Sequence, residues 1–341
     1  MDNVAPQPSR SLFRDREAAF ANTAVLLWVS IGWLSSFALM GNASPLLNIL
    51  GVFLCTNTMV LAAYLIHEAA HQTLFAKQGA NFAIGEALNF IAGSSYASFQ
   101  RIRHMHIRHH MDRADLTCFD FKGLLQGRPA LRRVLELMEW GYIPATEILM
   151  HLQVVWRPFV VRSQRRYLPR SLVMLAVRGA LLTLLAIWSV KALFLYFLSV
   201  ALFLHVLNFF DAFHHTFEQF FVDAEQPLPL QGRNRAYEQA NTYSNLISVR
   251  FPSLNLLTLN FGYHNAHHER ASVPWYRLPA YHRSLYADRS AAVMPLSKLI
   301  RTWHRNRVKR VGSEHYGESG GGMDRIDDFV GAHGVSFLTV V

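Results

Sequence analysis

The chain has 341 residues, of which 51% are hydrophobic and 16% charged, whereas about a quarter of an ordinary soluble domain is charged. Its 33 Lys and Arg residues exceed its 23 Asp and Glu residues, giving a formal net charge of +10 that suits an anionic membrane surface or an acidic protein partner; no recognisable motif indicates nucleic-acid binding. This composition argues against a soluble protein, and the two cysteines are too few for a disulfide framework or a cysteine-rich zinc site.

The N-terminal arm, residues 1–22, is polar and contains Arg10, Arg14 and Arg16. A secretory signal would have a short apolar stretch followed by a small-residue cleavage site. We therefore expect this arm to be retained ahead of the first membrane crossing.

The first long apolar region, Thr23 to Ile66, is almost free of charge and contains the turn-like sequence Gly41-Asn42-Ala43-Ser44-Pro45. One crossing takes about 20 residues of α-helix, and glycine, asparagine and proline together favour a turn. The region predicts a helical hairpin with spans at about 24–42 and 46–66.

Two shorter apolar segments follow, Phe82 to Phe99 and Trp140 to Trp156, and each contains a glutamate, Glu86 and Glu147 respectively. They are too short or too interrupted for a confident crossing, so we expect interfacial or re-entrant helices. A true crossing at Phe82–Phe99 would place the histidines before it and those after it on opposite sides of the membrane.

The second long apolar region, Leu172 to Phe210, predicts another hairpin, with spans at about 172–190 and 192–210. Lys191 lies near its middle and is predicted to mark the turn, and Arg178 is the one charge inside an arm. Because Arg178 lies near the start of its helix, we expect its side chain to snorkel to the interface.

The predicted organisation is the arm, a membrane domain over residues 23–311 and a Gly-rich tail over residues 312–341. The tail is expected to be flexible and peripheral, with apolar last residues, Val335 to Val341, that are able to dock. Arginines of the arm, of residues 157–170 and of residues 301–310 all lie on one side of the predicted spans. The positive-inside rule therefore places both termini in the cytoplasm.

Histidine is the second unusual feature, since most of the 17 histidines fall in tight clusters. A spacing of i, i+4 on a helix places two imidazoles on one face, where both can bind one metal ion. All the clusters lie at the cytoplasmic ends of the hairpins or in the segments that follow. Because the clustered histidines outnumber the ligands that one ion needs, two metals are predicted. The clusters are His67-Glu68-Ala69-Ala70-His71, His104-Met105-His106-Ile107-Arg108-His109-His110, Asp211-Ala212-Phe213-His214-His215 and His264-Asn265-Ala266-His267-His268.

These boxes, spaced by two membrane hairpins, resemble the histidine-box membrane fatty acid desaturase family and its hydroxylase and ketolase relatives, over about Thr23 to Leu285. The resemblance implies an all-α integral membrane protein with four transmembrane helices in two hairpins and a cytoplasmic helical cap that holds a di-iron site. Carried over residue by residue, it implies the metal ligands His67, His71, His106, His109, His110, His215, His264, His267 and His268.

Three further residues are weaker candidates. His214 is an alternative to His215, and His104 adds a histidine ahead of the second box, as a supporting group or an alternative ligand. Asp211 lies one helical turn before His215 and could approach a metal through water or orient His215, the usual role of such a carboxylate. His151, His205, His282, His304, His315 and His333 stand alone in the sequence and are expected to be structural.

The resemblance implies O2-dependent oxidation of an unactivated C–H bond, with desaturation of a fatty acyl chain as the first choice and hydroxylation or ketolation of a hydrocarbon, acyl or carotenoid substrate as the alternative. Iron supplies chemistry that no side chain can, and electrons are expected from a separate ferredoxin, rubredoxin or cytochrome. Aromatic residues that could line an acyl channel are expected instead to face lipid or to pack helices. They are Trp28, Trp33, Phe90, Tyr96 and Phe99.

Two other classes of protein are compatible with parts of the sequence. His67-Glu68-x-x-His71 also fits the zinc-protease pattern, with Glu68 as general base, and predicts an intramembrane protease with one zinc. A non-catalytic multi-span or lipid-binding protein is the second class. Both leave the two His-x-x-His-His boxes unexplained.

Overall fold

The structure is a computed structural model that describes residues 11–221, 228, 232–286, 293–312 and 323–339. The described chain is mostly helical, with short 3-10 turns at Arg162–Tyr167, Pro252–Thr258 and Met323–Asp328. Its α-helices are α1 Arg16–Gly41, α2 Pro45–Ala70, α3 Gln78–Ile91, α4 Phe99–Asp112, α5 Phe121–Gln126, α6 Pro129–Trp140, α7 Ala145–Val160, α8 Leu168–Trp188, α9 Val190–Ala212, α10 Arg235–Ala240, α11 His264–Glu269, α12 Leu278–Leu285, α13 Leu296–Asn306 and α14 Lys309–Gly312.

Four of these helices, α1, α2, α8 and α9, are long and apolar enough to cross a membrane. The prediction of an all-α protein with four such helices is confirmed. The second helix is the central one, because it packs against α1, α3, α4 and α9 and most of its residues are buried. It also continues past the predicted end at Ile66 as far as Ala70, so that His67 lies on its last turn.

The connection between α1 and α2 lies at the predicted turn. The Asn48 side-chain amide donates to the carbonyl oxygens of Leu39 and Met40, at 2.9 and 3.1 Å, and thus satisfies carbonyl groups at the end of α1. Such groups lack partners within the helix. Pro45 occupies the first turn of α2, where its fixed φ angle is favourable.

The connection between α8 and α9 lies at Ser189 rather than at Lys191, which corrects the predicted turn. The Ser189 hydroxyl accepts the backbone N–H of Ala192 at 3.1 Å and so caps α9. Lys191 therefore lies in the first turn of the helix, and its ammonium donates to the carbonyl oxygen of Asn42. This bond links the two interhelical turns.

Arg178 has hydrogen-bond partners within the protein. Its Nη2 donates to the Phe90 carbonyl oxygen at 2.8 Å and to the Ser95 hydroxyl at 2.9 Å. Its guanidinium carbon also lies 4.7 Å from the centre of the Phe90 ring. A charge among apolar helices is stabilised by such partners, and here they fix the segment that follows α3.

The helix α3 contains the first part of the apolar segment Phe82–Phe99, and α7 contains most of the segment Trp140–Trp156. Neither helix is among the four candidate spans of the described chain. Gly85 permits close packing of α3 on α4, because a Cβ atom there would lie 2.5 Å from the Phe99 ring. The histidines on either side of α3 lie together, with 2.7 Å between Nε2 of His71 and Nε2 of His106. A topology that places His71 and His106 on opposite sides of the membrane is therefore excluded.

A short parallel pairing was not predicted. Strand β1, Asp115–Thr117, pairs with strand β2, Gln219–Phe221. It joins the segment after α4 to the segment after α9, and thereby brings the histidines at the ends of these two helices close together.

Much of the described part of the C-terminal tail is buried, which corrects the expectation of a peripheral segment and agrees with the expectation that its apolar last residues can dock. Phe329 and Leu338 are fully buried, and Phe329 packs against Phe213. The apolar side chains of this segment are removed from water when they enter the core. The first ten residues of the arm, the Gly-rich residues 313–322, His315 and the last two residues lie outside the described residues.

Candidate metal centre

Local structure explains why the histidine boxes present their rings together. His67 lies on the last turn of α2 and His71 caps that helix, while α4 carries the second box. The helix α4 begins at the Ser98 cap and ends at Arg113, whose φ of 48° is left-handed. The third box forms the short helix α11.

The first group of histidines comes from α2, α4 and α11. Nε2 of His67 lies 3.0 Å from Nε2 of His267, and Nε2 of His110 lies 3.1 Å from the same atom. In this group the ring nitrogens that face one another lie within 4.8 Å. Five imidazoles thus converge on one point and could hold a metal ion; they are His67, His71, His106, His110 and His267.

The second group combines one histidine from α4, one after α9 and two from α11. Nε2 of His215 lies 2.9 Å from Nε2 of His264. The four ligand atoms again lie within 4.8 Å of one another, and the members are His109, His215, His264 and His268. The two groups together contain the nine histidines that the resemblance implied as ligands.

Burial keeps these imidazoles neutral, which is the form that binds a metal. It lowers the pKa of His71 to about 3 and that of His109 to about 4. Burial likewise lowers the pKa of His106, His264 and His268 well below its ordinary value. An all-imidazole, largely buried donor set suits iron among other transition metals.

The orientations of His109 and His268 are set by hydrogen bonds on the side of the ring that faces away from the group. Nδ1 of His109 donates to the Ala114 carbonyl oxygen at 2.9 Å, and Nδ1 of His268 donates to Oε1 of Glu238 at 3.0 Å. Among the described residues, Nε2 of His268 is buried and has no hydrogen-bond partner. A buried polar atom without a partner is costly, and a metal ion would satisfy it.

Glu238 was not found from the sequence, although it contacts the site. Besides accepting from His268, its Oε2 accepts from Nε of Arg113 at 2.9 Å, and its carboxylate forms a further group with His110 and His268 within 4.8 Å. It precedes His268 by 30 residues and belongs to no motif. Asp115 was also missed; its Oδ1 lies 3.4 Å from Nδ1 of His109, and burial raises its pKa to about 8.

The weaker candidates lie at the edge of the centre. His214 is outside both groups, and its Nε2 donates to Oδ1 of Asn245 at 2.7 Å. His104 is exposed on α4, outside both groups. Asp211 lines a small cavity of about 70 Å³ beside His109 and His215, and its Oδ2 has no hydrogen-bond partner among the described residues.

Glu68 holds the backbone rather than facing open space beside a metal. Its Oε2 accepts from the Thr73 hydroxyl at 2.6 Å and from the backbone N–H of Trp275 at 3.1 Å. A general base must reach a water molecule on the metal, whereas these bonds tie Oε2 of Glu68 to Thr73 and Trp275. This geometry does not favour the zinc-protease interpretation.

The isolated histidines within the described residues lie outside both groups: His151, His205, His282, His304 and His333. Two have clear structural partners. Nε2 of His205 donates to the Tyr142 carbonyl oxygen at 2.6 Å, and Nδ1 of His151 donates to the Glu147 carbonyl oxygen at 2.9 Å.

A large apolar cavity of about 680 Å³ lies between α1, α3, α7, α8 and α9. Trp33, Phe90 and Tyr96 line it. Trp33 also packs against Phe90, with 6.4 Å between the ring centres, in agreement with the expectation of helix packing. Trp28 is exposed and Phe99 is fully buried in helix packing, as expected. Cavities of about 300–1,000 Å³ are typical of small-molecule sites.

The fold and site define a multi-pass, helical membrane protein whose two groups of buried histidines could bind metal. The model of the fatty acid desaturase family matches residues 43–299, a range that contains all four histidine clusters. The chain therefore belongs to the fatty acid desaturase family, which confirms the resemblance and implies an oxidoreductase. A comparison with curated proteins finds no match.

Proposed function

We propose that this protein desaturates a fatty acyl chain in an O2-dependent reaction at a di-iron centre. The observation that carries the proposal is the arrangement of nine largely buried histidines as two adjacent groups of potential ligands. One group alone would suit a structural or hydrolytic metal. Two groups side by side, in a chain of this family, suit oxidation.

The first iron would be held by the group of His67, His71, His106, His110 and His267, and the second by His109, His215, His264 and His268. Two irons with O2 would supply an oxidant able to remove hydrogen from an unactivated methylene, which no side chain can do. Glu238 orients His268 through the bond from Nδ1, and the Ala114 carbonyl orients His109. Such outer partners fix the tautomer and direction of a ligating ring.

The substrate would occupy the large apolar cavity. Some lining side chains are also exposed on the surface of the spans, including Leu34 at 64% and Leu184 at 60%. This supports lateral entry of a hydrocarbon from the bilayer. Each buried methylene would contribute about 0.8 kcal/mol, so apolar contact alone can retain an acyl chain.

Electrons would come from a separate ferredoxin, rubredoxin or cytochrome type of donor. In the proposed topology both termini and the metal centre face the cytoplasm, on the side where the arginines lie. Arg162, Arg165 and Arg166 precede α8 there, and Arg301 and Arg305 lie on α13. This charge supports docking of an acidic carrier, because complementary charge steers association.

The test is expression in a host of known lipid content, followed by acyl-chain profiling with and without His268→Ala. New double bonds that vanish in this variant, and persist in the control His304→Ala on exposed α13, are expected. Growth under 18O2 separates the alternative reaction, since desaturation leaves no label in the product and hydroxylation or ketolation retains it. An unchanged lipid profile in wild-type cells would contradict acyl desaturation of that host's lipids.

A further inference from the structure

The C-terminal segment passes directly beside the metal centre. The backbone N–H of Ala332 donates to the Ala212 carbonyl oxygen at 2.9 Å, which anchors the segment at the end of α9. Gly331 has a φ of +89°, and a Cβ atom there would lie 2.9 Å from the same oxygen. Only glycine meets both conditions without strain, so a glycine at position 331 allows the segment to lie this close to the end of α9.

The next residues line two cavities. The small cavity beside the histidines is lined by Val335, Ser336 and Phe337, whereas Leu338 lines the large apolar cavity. Consecutive side chains therefore border different compartments. We name residues 335–338 the wall segment.

The wall segment contacts the candidate ligands on one side. The Phe337 ring centre lies 6.0 Å from that of His106 and 6.3 Å from that of His67. On the other side, Leu338 is fully buried and packs into the core between the helices. A hydrocarbon that advanced from the large cavity towards the histidines would meet these two side chains.

The wall segment has a defined conformation. The Ser336 carbonyl oxygen accepts both the backbone N–H of Thr339, at 3.1 Å, and the Thr339 hydroxyl, at 3.0 Å. The backbone N–H of Leu338 donates to the Ser336 hydroxyl at 3.3 Å. These bonds form a local turn that fixes the directions of Phe337 and Leu338.

We infer that Phe337 and Leu338 form the inner wall of the substrate cavity and determine how far a hydrocarbon chain reaches towards the metal centre. This inference rests on the proposed function, which puts an acyl chain in the large cavity. Because close-packed side chains exclude further atoms, removal of either one opens space for a deeper chain. Phe337 and Leu338 are thus specificity-determining residues, which set the position on the chain that reacts.

The test is photoaffinity labelling of the full-length protein in lipid nanodiscs with a hexadecanoic acid that carries a diazirine at its terminal carbon. Wild type, Phe337→Ala and Leu338→Ala are compared, with Phe337→Leu as the conservative variant. Ile187→Ala is the control, because Ile187 is exposed on α8 and is not among the residues that line the cavity. Peptide mass spectrometry then locates the label.

In wild type the label is expected on the large cavity, for example on Leu204 and Leu338. In the two alanine variants we expect a several-fold increase on Met105, Leu116 and Cys118, which line the small cavity. The conservative variant and the Ile187 control should resemble wild type. The position of the double bond in the product should shift in the same two variants.

Equal labelling of the small cavity in wild type and in both alanine variants would contradict the inference that Phe337 and Leu338 form the inner wall. Labelling confined to the large cavity in every form would also overturn it, while leaving the acyl substrate intact. Labelling of neither cavity would contradict both the proposal of an acyl substrate and the inference of an inner wall. Unfolding temperature and metal content confirm that each variant folds, and Leu338→Val replaces Leu338→Ala if the latter does not.

Discussion

Substitution of Glu238 tests whether a carboxylate that belongs to no predicted box controls the metal centre through His268. Nδ1 of His268 donates to its Oε1 at 3.0 Å, and the two side chains are 0% and 9% exposed. Water therefore cannot replace this bond readily in Glu238→Ala, and a buried donor without a partner costs about 1–3 kcal/mol. Loss of such an outer partner typically weakens metal binding about 10–100-fold, equivalent to about 1.4–2.7 kcal/mol.

The assay is titration of the metal-free protein with Fe²⁺ against a competing chelator, with wild type, Glu238→Ala and Glu238→Gln measured in parallel. The glutamine variant keeps an oxygen acceptor for His268 and loses only the charge, so we expect a smaller decrease in affinity than with alanine. Glu136→Ala is the matched control, because Glu136 pairs with Arg132 on α6 at 2.8 Å, at a more exposed site. An unchanged affinity in Glu238→Ala would refute the role of Glu238 in orienting His268.

Three further outcomes follow from the same structure. His215→Ala should lose about one bound metal per chain whereas His214→Ala should keep both; equal losses, measured by elemental analysis, would contradict the assignment of His215 to the second group. His104→Ala should also leave metal content unchanged, and a loss would give this exposed residue a role that its position does not indicate. The metal-free protein should be most stable near about pH 6.5. Burial lowers the pKa of His71 to about 3 and that of His109 to about 4, so both contributions are lost as pH falls below about 6.5. Burial raises the pKa of Asp115 to about 8, so its contribution decreases as pH rises from about 4 to about 8; below about pH 6.5 the two histidines outweigh it, and above that pH its loss dominates. Thermal unfolding across this range would show a flat profile if the buried groups did not act in this way.

The membrane helices could be predicted because they depend on a property of contiguous residues. Thr23–Ile66 and Leu172–Phe210 are long and apolar, and only helices with satisfied backbone groups suit such segments. The exact turn in the second region could not be predicted from charge alone. Ser189 ends α8 and caps α9, whereas Lys191 is accommodated in the helix by its bond to the Asn42 carbonyl.

The histidine boxes could be predicted for a similar reason, since each box is local in sequence and its spacing places rings on one helical face. Contacts that depend on the tertiary fold could not. Glu238 reaches His268 only because α10 packs beside α11, and Arg178 meets the Phe90 carbonyl from a different helix.

The C-terminal tail is another example of contacts that could not be predicted from the sequence. Its glycines suggested flexibility, yet the residues that follow them in the described chain bury Phe329 and Leu338 in two different clusters. Apolar residues in a short segment indicate that it can be buried, and only the shape of the remaining surface decides where.

Elemental analysis of the purified full-length protein tests the proposed di-iron centre most directly. We expect about two irons per chain, with about one or fewer in His268→Ala, because His268 belongs to the second histidine group. One zinc per chain without iron, or two irons retained in His268→Ala, would contradict the proposal.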